Sequence, residues 1–247
     1  MKYINPIINV IGILAICFIF LTLPMLLSQL ISSLSRSNCI DTISVIGLYA
    51  FCYWGLGGKA VLHTSWIKFS PVKIPTLIIF GTCMFFPIGL AEDIICLPDY
   101  LIDDFESVEI TTWDIFNICL IGPFVEEMLF RGIIMNRLLE KNIKPNSAIS
   151  ITAILFALFH LNPAQMIGAL IVGLFVGYLA YKTNCIYYSI LVHCVYNTLC
   201  YMQHYLLGYD SKTIELVNGN WIIYILLAIL CIYIGSFILN NYLIKLK

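Results

Sequence analysis

Runs of roughly 20 residues with almost no charge recur along this chain, at about 7–31, 43–66, 74–97, 113–139, 146–161, 164–181, 185–207 and 219–243. Each run suits the ~30 Å hydrocarbon layer of a bilayer when wound as a helix, and is long for a membrane strand of about 9–11 residues. Lipid offers no partner to an exposed peptide group, so a chain of such runs folds as helices that satisfy their own backbone. The pattern therefore predicts an all-α membrane protein with about eight transmembrane helices. Composition points the same way: 61% hydrophobic and 11% charged residues leave too little polar surface to cover a water-soluble globule of 247 residues. The first run, 7–31, far exceeds a signal-peptide core of about 7–15 residues and is expected to stay as a membrane helix. No internal repeat or linker divides the chain, so a single polytopic domain over 1–247 is expected.

The fourth run carries the anomaly. Within Pro123–Arg131, PFVEEMLFR, two adjacent glutamates and an arginine interrupt an apolar segment. Each ionisable group at mid-bilayer costs about 2.5–3.5 kcal/mol even on mild insertion scales, and such groups generally serve function. Glu127 and Arg131 stand at i and i+4 with the acid first, the favourable order for an ion pair on one helix. Glu126 points about 100° away, and its own i+4 position is the apolar Phe130.

Two later runs carry further polar groups. The fifth ends FALFHLNP with His160, and Pro163 forces a tight turn into the sixth; the seventh contains LVHCVYN, with His193 and Asn197 one turn apart on one face. At 1.5 Å per residue, Glu127 lies about 15 Å from Arg137, His160 about 21 Å from Asn146, and His193 about 12 Å from Cys185, so these groups reach a similar middle layer. A single membrane histidine or asparagine is often only an interhelical hydrogen-bonding group, but the coincidence of all of them favours a site. The sixth run reads as a packing helix, with small residues Gly168, Ala169, Gly173, Gly177 and Ala180. His63 and His204 read as interfacial, and Glu92 and Asp93 as solvated or pore-rim residues at the end of the third run.

With a cytoplasmic N-terminus, ten lysines and arginines (Lys2, Lys59, Lys68, Lys73, Arg137, Lys141, Lys144, Lys182, Lys245, Lys247) fall on the cytoplasmic side and only Arg36 and Lys212 outside. Both termini are thus expected in the cytoplasm, and the acidic 98–112 loop on the outside as a solvated cap. A net charge of −1 gives no electrostatic support to nucleic-acid binding. Most of the ten cysteines lie inside apolar runs without CxxC spacing, and read as small membrane hydrophobes rather than a disulfide framework. Cys194 follows His193 directly, which sets the two about 100° apart and gives no cysteine nucleophile.

A buried glutamate can serve as general base toward water, with a histidine sharing that water or protonating the leaving amine. A second histidine and an asparagine can donate to an oxyanion. The same glutamate and histidines can alternatively ligate a zinc-type ion, although the HExxH spacing is absent. The residues leave both routes open.

EEMLFR, FALFH and HCVYN resemble, in order, the EExxxR, FxxxH and HxxxN motifs of the CAAX prenyl protease and bacteriocin-processing (CPBP, Abi) family of intramembrane glutamic endopeptidases. The resemblance covers about 113–207 and places the catalytic core on helices four to seven. It implies that Glu126 activates water with His160, that His193 and Asn197 form the oxyanion site, and that Glu127 and Arg131 support the motif. Members are described as metal-dependent and as metal-independent; in a zinc enzyme Glu126, His160 and His193 would be the ligands. The resemblance further implies a multi-pass protein of a bacterial cell membrane, acting on a lipidated or amphipathic membrane-associated peptide or protein. A non-catalytic scaffold or bacteriocin self-immunity protein using the same cavity is the alternative. A proton-relay transporter is disfavoured, because the chain shows no duplicated halves with broken helices.

Overall fold

The computed structural model describes residues 50–99 and 111–243, with the separate positions 12, 47 and 48. The expected first helix at 7–31, most of the acidic 98–112 loop, Arg36 and the terminal lysines lie outside the described residues. Every described element is helical: α1 (Gly58–Lys68), α2 (Ile74–Ile95), α3 (112–140), α4 (Pro145–Phe159), α5 (Pro163–Thr183), α6 (Ile186–Leu207) and α7 (Trp221–Ile238). Three helical stretches, Pro71–Ile95, Pro163–Thr183 and Trp221–Leu243, are long and apolar enough to cross a membrane, and Pro145–Phe159 is a shorter apolar helix. The described residues are therefore all helical, and three of their helices suit a membrane.

Helix boundaries follow local chemistry. Thr111 accepts from the Asp114 backbone N–H while the Asp114 carboxylate accepts from the Thr111 N–H at 2.9 Å, a reciprocal cap that starts α3. Leu161 takes a left-handed φ of 54° ahead of Pro163, which makes the tight turn between α4 and α5. Asn184 (φ 51°) ends α5, and Gly208 (φ 99°) ends α6. Asn220 starts α7 by accepting from the N–H groups of Ile222 and Ile223.

Two departures from the sequence expectation concern continuity. The second expected span, 43–66, is interrupted: a wide turn at Phe51–Gly55 is followed by Gly57 at φ 88° before α1 begins at Gly58. The Gly57–Gly58 pair permits this break, and the Arg137 guanidinium holds it by donating to the Leu56 carbonyl at 3.2 Å. The fourth span is one continuous helical path, but it contains wide π-type turns at Asn117–Ile121 and Met128–Met135. The first precedes Pro123, which lacks an N–H and crowds the carbonyl four residues back; the Gly122 N–H then reaches Asn117 O instead.

α3 is the central post. All eight residues from Met128 to Met135 are buried, and the surrounding core joins Phe130, Ile134 and Leu138 to Ile149, Phe156 and Ile190. α4 and α5 form an antiparallel hairpin in which a Cβ at Gly173 would lie 3.1 Å from the Cα of Ala153. That close approach is the packing role expected of the small residues on α5. α2 lies against α6 where Gly81 faces Val195, and against α7 where Gly235 faces Cys83.

Contacts along α6 define the two ends of the bundle. At one end Tyr188 Oη donates to Lys68 O at 3.2 Å and accepts from Ser70 N at 3.0 Å, and Ile186 N donates to Ser65 Oγ at 3.4 Å. Lys68, Lys73, Arg137, Lys141, Lys144 and Lys182 gather here, on segments that begin or end at this level. At the other end Asn162 donates to Asp99 at 2.9 Å, and Gln203 donates to Ser211 O at 3.0 Å.

Candidate active site

The buried middle of α3 supplies the acids. Glu127 and Arg131 are both 0% exposed, and Arg131 Nη1 donates to Glu127 Oε1 at 2.7 Å. The expected i,i+4 ion pair is present. Arg131 reaches further than its own helix: Nη2 donates to the Gly173 carbonyl of α5 at 3.1 Å, and its guanidinium lies 4.5 Å from the Phe156 ring centroid of α4. One side chain thus ties three helices together. Glu127 Oε2 and Arg131 Nε have no hydrogen-bond partner.

His193 of α6 completes the group. Its Nδ1 lies 3.0 Å from Glu127 Oε1, and its Nε2 lies 3.7 Å from Glu126 Oε2. An ionised carboxylate only accepts, so Nδ1 carries the proton toward Glu127 and the imidazole presents Nε2 to Glu126. The two acids differ in access: Glu127 is sealed, whereas the Glu126 side chain is 32% exposed. Spacing alone suggested an isolated Glu126; the fold gives it an imidazole neighbour from a distant helix.

His160 ends α4, and its Nδ1 lies 2.9 Å from the Phe156 carbonyl. A carbonyl cannot donate, so the hydrogen sits on Nδ1, and in the neutral ring Nε2 is the acceptor. Phe156 bridges the histidines, with its ring centroid 4.8 Å from that of His160 and 5.5 Å from that of His193, both edge to face. Asn197, one turn from His193, donates through Nδ2 to the Ile118 carbonyl at 3.1 Å. That carbonyl lies in the wide turn before Pro123. The structure thus gathers Glu126, Glu127, Arg131 and His193 directly, links His160 through Phe156, and ties Asn197 to α3.

Three participants escaped sequence reasoning. The contact of His193 with Glu127, the Gly173 carbonyl and the Phe156 bridge all join residues far apart in the chain, and only the small-residue run on α5 and the FALFH motif hinted at them. Among the described residues no three His, Cys, Asp or Glu side chains converge as a metal site requires. The zinc set Glu126, His160 and His193 therefore does not fit as placed. His63 is exposed, as expected of an interfacial residue, and His204 stacks on Tyr209 with ring centroids 5.5 Å apart.

Comparison with protein families matches residues 108–199 to the type II CAAX prenyl endopeptidase Rce1-like family. That segment is similar to this family. The Rce1-like segment starts just before α3 and ends within α6, so it contains every residue of the group above. No curated protein and no solved structure matches the chain. The match spans less than half of the chain and makes the segment around the acid pair similar to a CAAX-type prenyl endopeptidase domain.

Proposed function

We propose that the protein is an intramembrane endopeptidase that hydrolyses a peptide bond in a lipidated or amphipathic membrane-associated peptide or protein, with Glu126 as general base. The observation that carries this reading is the asymmetry of the acid pair: Glu127 is buried on Arg131 and His193, while Glu126 is accessible beside His193 Nε2. Arg131 bonds Glu127 rather than Glu126, which leaves the accessible carboxylate available to take a proton from water.

In the proposed reaction Glu126 accepts a proton from water, and the hydroxide oxygen bonds to the scissile carbonyl carbon. His160, with Nε2 free, helps hold that water. The developing oxyanion meets His193, whose ring Glu127 holds through Nδ1, and Asn197, which turns from the Ile118 carbonyl to the substrate. The C–N bond then breaks, and the proton held by Glu126 passes to the departing amine. No step is routed through a metal, because the donor set does not converge.

Incubation of purified protein with candidate lipidated and amphipathic peptides, read by mass spectrometry, tests the reading. Wild type should release two fragments that differ from substrate by one added water, and Glu126→Gln should release none. Specific binding of a partner without cleavage by either protein would favour the scaffold alternative.

A further inference from the structure

A cavity of about 400 Å³ opens at the lysine-rich end of the bundle, walled by α1, α3, α5 and the start of α6. Its polar lining includes Ser65, Arg131, Asn136, Lys182 and Asn184. Arg131 and Lys182 are the charged members, and among the described residues no carboxylate lines it.

The wall holds hydrogen-bond donors that the fold does not use. Arg131 gives Nη1 to Glu127 and Nη2 to the Gly173 carbonyl, but its Nε, in a side chain 0% exposed, has no hydrogen-bond partner. Ser65 is 3% exposed and accepts from the Ile186 N–H at 3.4 Å, so its own hydroxyl hydrogen is left to donate. Asn136 places one amide hydrogen on the Gly132 carbonyl at 2.7 Å and keeps the other. Lys182 is exposed. Its Nζ lies 5.5 Å from the Tyr178 ring centroid, and the ammonium makes no hydrogen bond or ion pair among the described residues. α6, 22 residues long, begins in this wall without a side-chain cap, so the positive end of its dipole faces the cavity as well.

A wall with free donors and surplus positive charge is satisfied by a group that only accepts and is negative. Glu127 neutralises Arg131, so Arg131 supplies a fixed hydrogen-bond direction while Lys182 supplies the net charge. Donors on α1, α3 and α5 suit several oxygens that point different ways, as on the tetrahedron of a phosphate, rather than the two coplanar oxygens of a carboxylate. Position narrows the class. α5, long and apolar enough to cross a membrane, ends at Thr183 beside Lys182, which sets the mouth of the cavity at the level of the headgroups. Basic pockets between membrane helices at that level take anionic head groups.

We propose that this cavity is a phosphate-binding site, with Lys182 as counter-ion and Arg131 Nε and Ser65 Oγ as inner donors. Its occupant is the phosphate of an anionic phospholipid or a free phosphate ion. The inner donor belongs to the guanidinium that holds Glu127, so occupancy steadies that clamp.

Full-length protein in a maltoside detergent should be titrated with dioleoyl-phosphatidylglycerol and with zwitterionic dioleoyl-phosphatidylcholine, bound lipid being counted by native mass spectrometry. Inorganic phosphate is titrated separately by equilibrium dialysis. We expect one saturable phosphatidylglycerol per protein, with phosphatidylcholine at least about tenfold weaker, and a loss of about tenfold in Lys182→Gln, as removal of one charge-assisted contact implies. Lys182→Arg keeps the charge, and Lys141→Gln removes an exposed lysine of the same end from outside the cavity; both should bind as wild type. Lys182-dependent binding of inorganic phosphate, with the two lipids indistinguishable, would support the site and assign it to the free ion. Saturable binding of neither phosphatidylglycerol nor phosphate, undiminished binding by Lys182→Gln, or equal losses in Lys182→Gln and Lys141→Gln would overturn it. Occupancy is read without turnover, so the outcome does not depend on the endopeptidase reading.

Discussion

Replacing Arg131 by methionine keeps most of the side-chain volume but removes the cation that three helices share. The guanidinium is 0% exposed and makes a 2.7 Å bond to Glu127, which is also 0% exposed. Breaking a buried ion pair from one side generally costs about 3–5 kcal/mol, most of it the penalty of an uncompensated charge. His193 Nδ1 would still donate to Glu127, which lowers the cost, while the Gly173 carbonyl would lose its 3.1 Å donor, which adds to it. We therefore expect a loss of about 3–4 kcal/mol. The companion change Glu127→Gln should be similarly damaging alone. The double variant Glu127→Gln with Arg131→Met, in which no charge is stranded, should recover about 1–3 kcal/mol relative to the sum of the singles. Denaturant or thermal unfolding in detergent, followed by the fluorescence of the four tryptophans, measures all four species. A single Arg131→Met loss below about 1 kcal/mol, or strict additivity in the double variant, would refute the claim that this pair is a coupled structural clamp.

Glu126→Gln should behave oppositely, lowering turnover about a hundredfold or more while leaving the unfolding midpoint near wild type; retained proteolysis would remove Glu126 as base. Metal analysis of active protein should find substoichiometric zinc, and chelation should leave activity intact; one tightly held zinc lost in His160→Ala or His193→Ala would overturn the metal-free route. Gly173→Ala should destabilise by about 1–3 kcal/mol, because the added Cβ would lie 3.1 Å from Arg131 Nη2 and from backbone of Ala153, and a wild-type midpoint would show that the α4–α5 contact is looser than described. With cytoplasmic termini, single cysteines at 36 and 212 should label with an impermeant thiol reagent on intact cells and one at 141 should not; the reverse pattern would invert the orientation and move Lys182 to the outer side.

How much of this could be read from the chain depends on the range of the interaction concerned. Hydropathy and turn chemistry are local, so the helices at 74–95, 145–159, 163–183 and 186–207 were legible to within a few residues, with Pro163 marking one boundary. The Glu127–Arg131 pair is likewise local, since both residues belong to one helix. Motif order allowed Glu126, His160, His193 and Asn197 to be named together before any fold was known. Tertiary structure alone decided which acid His193 holds, why Glu126 is the accessible member, and that Phe156 separates the two imidazoles. It also set the Glu92 carboxylate against α5 rather than at a solvated rim, because the facing residue there is Gly168. A helix periodicity states which residues share a face. The neighbour that face meets, and hence whether a charge is stranded, paired or open to substrate, is set by packing between segments that the sequence does not connect.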